Sequence, residues 1–269
     1  GQSHGRSRRS GCAVGRRHRA WTELGYRPLT AWLARAAFWS LLPVTAVQGL
    51  WLRRRATRLP GAAGARHGVI GAGEEYHLLA IGDSIIDGVG TGRVESSLPV
   101  QFASELAAAS GRRIYWRIEG CSGHTISDVI ERLEALEHSA PVDLVLLSVG
   151  VNDVTGLSTT RGWRRSVCTL LQNIHARWPG AHILFAGLPP MASFPLPPQP
   201  LRYSLGLRAA TLDRIARTII DSHPGVLHVR TRIDPSCHEF CEDGFHPAPE
   251  SCTLWARELA ALHTGRLNT

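Results

Sequence analysis

From residue 77 onward the chain alternates two kinds of pattern. Short apolar runs at 77–82, 112–118, 143–149, 182–187 and 226–230 have the length of strands and are bounded by Gly, Asp, Ser or Pro. The run at 143–149 is apolar at consecutive positions, as a strand covered on both faces must be. Between the runs, 98–109, 126–138, 163–178, 205–222 and 249–262 carry apolar residues every three or four positions and read as helices. In 126–138, Ile126, Val129, Ile130 and Leu133 share one face, and Ser96 or Ser97 can cap the helix at 98–109. Five strands joined by helical crossovers predict an α/β, three-layer α/β/α domain over 76–269 with a parallel five-stranded sheet.

The N-terminal quarter has a different pattern. Residues 1–28 are rich in Arg, Gly and Ser without periodicity and read as a disordered arm. Residues 29–55 read as an apolar helix outside the domain, with an uncharged core at 36–52 between Arg35 and Arg53, and with Trp39 and Trp51 near its ends. Seventeen uncharged residues lie at the lower limit for crossing a bilayer, and Pro43 would kink them. A membrane anchor, an interfacial helix and a helix packed on the domain all remain open. Residues 56–75 read as a linker rich in Gly and Ala.

Charge follows the same division. The net charge is +8, yet residues 1–66 hold 13 Arg against the single acid Glu23, while the body holds 17 Arg against 21 acids. The basic charge belongs to the terminus, which argues against a nucleic-acid-binding body and suits anionic lipid along residues 1–58. The expected location is a membrane, through the N-terminal helix, or the cytoplasm. Arginines on both sides of the apolar segment leave the side of the membrane open. The six cysteines lack zinc-site spacing, so no metal and no cofactor is expected. They read as free thiols, with a Cys237–Cys241 or Cys241–Cys252 bridge open to an oxidising compartment.

Four short blocks carry the candidate chemistry. Gly82-Asp83-Ser84, Ser122-Gly123 and Gly150-Val151-Asn152-Asp153 follow the first three strands, and Asp243-Gly244-Phe245-His246 precedes the last helix. Ligands of a parallel sheet bind beyond its carboxyl ends, so these blocks should converge there. Ser84 is a candidate nucleophile. The backbone N–H groups of Ser84 and Gly123 and the Asn152 side chain are candidate donors to a tetrahedral oxyanion. Asp243 and His246, three residues apart, can pair so that the carboxylate holds the imidazole as general base. Asp83, Asp87 and Asp153 read as carboxylates that brace the loops.

In this order the blocks resemble the SGNH, or GDSL-type, hydrolase family, named for the Ser, Gly, Asn and His that would here be Ser84, Gly123, Asn152 and His246. The matching pattern runs from about Leu78 to Leu262. The resemblance implies a flavodoxin-like fold and hydrolysis of esters or thioesters without a metal. The chain departs from the family in reading Ser-Ile-Ile-Asp where many members have Leu-Thr after the serine. It also lacks the Asn that often precedes the second-block glycine. His124, Met191 and Phe194 are candidates to flank the substrate, the last two from the Pro-rich loop at 189–200. The partner expected is a small acyl ester. An acyltransferase or a carbohydrate O-deacetylase would use the same site, and a catalytically silent tethered binding domain is the reading from another class.

Overall fold

The computed structural model describes residues 28–55, 57–137, 140–231 and 240–267. Cys12, Cys237 and the arm up to residue 27 lie outside the described residues. The chain divides into two units, residues 1–40 and 41–269. A long helix, α1 (Pro28–Arg55), runs through Pro43. Its part within the second unit is packed on the body. Leu52 joins the core, Gln48 Nε2 donates to the Gln199 carbonyl at 2.8 Å, and Gln48 Oε1 accepts from Leu201 N at 3.1 Å. On other positions of the helix Val44, Val47, Leu50 and Trp51 are exposed. Among the described residues no helix is long and apolar enough to cross a membrane.

Residues 56–75, expected to be a linker, instead contain β1 (His67–Ile70), and β2 begins at the end of this stretch (Glu75–Gly82). The chain continues through α2 (Ser84–Asp87), α3 (Leu98–Ser110), β3 (Arg113–Gly120) and α4 (Ile126–Glu134). Then come β4 (Leu144–Ser148), α5 (Val151–Thr155), α6 (Thr160–Arg177) and β5 (His182–Ala186). The described part ends with α7 (Leu201–Ile220), β6 (Val226–Val229) and α8 (Pro249–Leu267).

The sheet has six strands in the order β1-β3-β2-β4-β5-β6. The five expected strands are parallel, and β1 is added antiparallel at the edge, His67 opposite Arg117 and Ile70 opposite Ile114. Alternate strand positions feed opposite faces, as the two-residue period demands. Leu79, Ile81, Val145, Leu147, Ile183 and Phe185 pack with α4, α6 and α7. Leu78, Ala80, Leu144, Leu146 and Leu184 pack with α3 and α8. Both faces are therefore covered, which explains why β4 has no polar position before Ser148. Trp163 of α6 is 1 % exposed, and its Nε1 is satisfied by the Leu212 carbonyl of α7 at 2.9 Å.

The strand register brings the carboxyl ends level. Gly82 lies opposite both Gly120 and Ser148, Ser148 opposite Ala186, and Ala186 opposite Val229. The loops that follow all leave from one edge of the sheet. Cys121, Cys168, Cys241 and Cys252 are free thiols, so the Cys241–Cys252 bridge is not formed. Burial pushes the Cys252 thiol up to about 12, which makes it a packing group and not a nucleophile.

Candidate active site

The first block is a turn stitched to both neighbouring strands. Asp83 N donates to the Ser148 carbonyl at 3.0 Å, and Cys121 N donates to the Gly82 carbonyl at 3.2 Å. A Cβ on Gly82 would meet the Ser148 carbonyl oxygen at 1.9 Å, so the turn needs glycine for this approach. Asp83 Oδ1 accepts from Ile85 N at 3.1 Å and caps α2, whose first residue is Ser84. At the other end of α2, Asp87 pairs with the Arg66 guanidinium, which also donates to the Asp87 carbonyl at 3.2 Å. Ala62 N donates to that same carbonyl at 3.1 Å. The stretch before β1 is thus docked against the turn that carries Ser84.

The second and third blocks meet each other. Gly123 has φ +89°, a conformation that favours glycine, and it is exposed. Asn152, in α5, donates from Nδ2 to the His124 carbonyl at 2.9 Å. Beside it, Asp153 is 2 % exposed, with Oδ2 accepting from Ile126 N at 2.9 Å and Oδ1 from Ser158 Oγ at 2.8 Å. Burial raises the Asp153 carboxyl, against the pull of those donors. Asp87 and Asp153 are thus loop braces, as the sequence suggested.

In the fourth block His246 Nδ1 lies 2.6 Å from Asp243 Oδ2. Asp243 Oδ1 accepts from Phe245 N at 2.9 Å and from His246 N at 3.0 Å. Burial works to raise the Asp243 carboxyl, but these hydrogen bonds outweigh it and hold the group below the usual range. Asp243 therefore stays charged, and the imidazole is fixed against it. The segment is anchored in turn by Cys241 N to the His246 carbonyl, 2.8 Å, and by Leu196 N to the Gly244 carbonyl, 3.2 Å.

Ser84 and His246 line one cavity of about 220 Å³. Most of the wall is apolar. Val149 and Leu188 come from the sheet edge, Val151 from the start of α5, Phe194, Phe240 and Phe245 from the loops, and Leu254 and Trp255 from α8. Of the substrate-flanking candidates, Phe194 lies on this wall. Met191 does not; it is fully buried in the core behind it. His124 is also off the wall and engages Asn152 through its carbonyl. Gly123, in the loop after β3, and Asn152, in α5, are not among the residues that line the cavity. The sequence reading missed Phe240, Phe245 and Leu254, whose spacing has no period that marks a pocket. It also missed Arg66. Among the described residues no three His, Cys, Asp or Glu side chains form a group able to hold a metal ion.

Known proteins are similar to this chain at two levels. In sequence it is 26 % identical over 190 residues to a GDSL-like esterase of Mycobacterium tuberculosis, covering 68 % of this chain and 60 % of that protein. The chain thus spans less than two thirds of that relative's length. In structure it is similar to the acetylxylan esterase Axe2 of Geobacillus stearothermophilus, with TM-score 0.51 and 21 % identity over 71 % of this chain and 94 % of the other. A family 3 carbohydrate esterase of Clostridium thermocellum matches with TM-score 0.57 and 18 % identity, over 72 % and 98 %. A family two carbohydrate esterase of Clostridium thermocellum matches with TM-score 0.58 and 16 % identity, over 74 % and 67 %. At these identities the likeness is one of fold. The model of the GDSL-like lipase/acylhydrolase family matches residues 80–253, well over half of the chain and all four blocks, so the chain belongs to that family.

Proposed function

We propose that the chain is a serine hydrolase of carboxylic or thio-esters. Ser84 attacks the ester carbonyl, and His246 takes its proton through the ring nitrogen not held by Asp243. The charged Asp243 fixes the tautomer and stabilises the imidazolium that forms. The oxyanion receives the N–H groups of Ser84 and Gly123 and the Asn152 carboxamide. His246 then protonates the leaving alcohol, and a water activated by the same imidazole releases the acid. The observation that carries this reading is the 2.6 Å contact of His246 with Asp243 on the wall of a cavity that Ser84 also lines.

An alcohol replacing the water would make the protein an acyltransferase with the same residues. A sugar O-acetyl substrate, suggested by the carbohydrate esterases of similar fold, fits less well with a wall of phenylalanine, leucine and valine. The test is labelling with an alkyl fluorophosphonate alongside hydrolysis of p-nitrophenyl esters. Label on Ser84, with a loss of activity of roughly three orders of magnitude in Ser84→Ala, supports the reading. A folded Ser84→Ala protein with near-normal esterase activity would sink it.

A further inference from the structure

We infer that the cavity beside Ser84 is an acyl-chain pocket that selects esters of medium-chain fatty acids, about six to eight carbons, over acetate. The inference rests on Ser84 being acylated as proposed above. The first observation is size. A methylene occupies about as much space as a water molecule, whose share of liquid volume is about 30 Å³, so 220 Å³ holds about seven such groups. An acetyl group would leave most of that space unused.

The second observation is the chemistry of the wall. Val149 and Leu188 face the cavity from the sheet edge, and Leu254 faces it from α8. Phe194 packs edge-on against both Phe240 and Phe245, with ring centroids 5.1 Å apart in each pair. Such a cluster is stiff and offers hydrocarbon contact without a hydrogen-bond demand. Three polar residues of the lining outside the proposed machinery are engaged already. Thr231 Oγ1 donates to the Gly187 carbonyl at 2.5 Å, and Ser251 and Glu258 interact with neighbours. A sugar, which needs a polar partner for each hydroxyl, would find few here.

The chain belongs on the acyl side of the ester. In the first step the Ser84 Oγ–carbonyl carbon bond forms, the ester C–O bond breaks, and the serine proton passes through His246 to the departing alcohol oxygen. The alcohol must leave before water can enter, whereas the acyl group stays bonded to Ser84 until hydrolysis. A pocket walled on several sides suits the group that stays. Each methylene buried should raise the specificity constant by about four-fold until the pocket is full.

The experiment measures kcat/KM of the full chain on p-nitrophenyl acetate, butyrate, hexanoate, octanoate and dodecanoate, and on octyl acetate against ethyl acetate. The expected result is a rise of at least ten-fold from acetate to hexanoate or octanoate, a fall by dodecanoate, and no preference for octyl over ethyl acetate. Ala186→Leu, at the end of β5, should fill the pocket and lower the octanoate-to-acetate ratio about ten-fold. If that variant does not fold, Leu254→Trp narrows the mouth from a position that is 60 % exposed and carries the same expectation. Turnover with a flat profile, or a best substrate of acetate, overturns the pocket while leaving the esterase. A preference for octyl acetate places the chain on the alcohol side and overturns the acyl assignment. An unchanged ratio in a folded pocket variant also overturns it. Failure of every ester, with no label on Ser84, overturns the esterase reading itself.

Discussion

Asn152 Nδ2 donates to the main-chain carbonyl of His124 at 2.9 Å, tying α5, which follows β4, to the loop after β3. Gly123 immediately precedes His124, so the bond ties Asn152 to the loop that carries the backbone N–H with which it is proposed to act. A carboxamide nitrogen carries two hydrogens, and this bond uses one. The remaining hydrogen is the one assigned to the oxyanion. Asn152→Ala should therefore lower kcat by about 10²–10³, or roughly 2.7–4 kcal/mol, with little change in KM. Its loss of stability should be that of one hydrogen bond, about 1 kcal/mol, or a Tm fall of about 2–4 °C. Asn152→Asp should be at least as damaging, since a carboxylate would face both the His124 carbonyl and the developing oxyanion. Kinetics and melting of both variants decide the matter. A variant with a lowered Tm and near-normal kcat would make Asn152 a loop tie alone.

The contact of His246 with Asp243 leads to a second expectation. Asp243 accepts from the His246 ring and from two backbone N–H groups, so the carboxylate both shapes the turn and holds the imidazole. Asp243→Asn keeps the size but offers an N–H where the ring needs an acceptor, or flips to lose the backbone bonds. Activity should fall roughly 10³–10⁴-fold. Circular dichroism and Tm should show a folded protein. Retention of more than about a tenth of kcat/KM would remove Asp243 from the mechanism.

Asp83 predicts a pH dependence of stability. It is 1 % exposed, Oδ2 is buried without a hydrogen-bond partner, and burial raises its carboxyl to about 7. In the unfolded chain the group titrates near the ordinary value of about 3.9. Between these values the folded protein binds the proton and the unfolded chain does not, so a rise in pH favours unfolding. The penalty is absent below about 4 and complete above about 7. Asp83→Asn keeps an acceptor for Ile85 N and removes the titration. The Tm of the native chain should fall relative to that of the variant as pH goes from 4.5 to 8. A difference that stays constant over that range would contradict the assignment.

The parallel strands and the long helices were legible because each has an apolar pattern longer than one period. The limits of β2 to β6 fall within two residues of those expected. Helix α4 stops at Glu134 instead of 138. The four chemical blocks were legible because strand ends mark where loops must gather. β1 was not, because His67-Gly68-Val69-Ile70 is short, lies among glycines, and becomes a strand only through its pairing with β3. Helices α2 and α5, of four and five residues, are too short to show a repeat. The docking of Gln48 and Leu52 was not legible either, since the pattern of an apolar helix of this length is shared by an anchor, an interfacial helix and a packed element. The bond from Asn152 to His124 depends on where a carbonyl points, which residue types do not encode.

Behind the cavity lies a second imidazole–carboxylate pair that predicts a stability effect coupled to substrate binding. Asp213 Oδ1, on α7, is 2.8 Å from His228 Nε2 on β6 and accepts from Leu188 N at 2.9 Å. The His228 side chain is 4 % exposed, and Leu188 lines the cavity. One carboxylate oxygen thus satisfies a buried imidazole and holds the backbone of a cavity residue. Asp213→Ala leaves both donors buried without an acceptor, which should cost about 2–3 kcal/mol. For a body of this size that is a Tm fall of roughly 5–10 °C. His228→Phe removes one donor and keeps an aromatic ring against Phe185, with which His228 is stacked, so it should cost less. In the double variant the two losses should not add, because the second change removes a group that the first had already stranded. Leu188 should shift in every Asp213 variant, so KM for a medium-chain ester should rise more than kcat falls. Tm for the two single variants and the double, with KM and kcat for each, tests the coupling. Strict additivity of Tm losses, with KM unchanged, would show that the pair supports neither the other element nor the cavity wall.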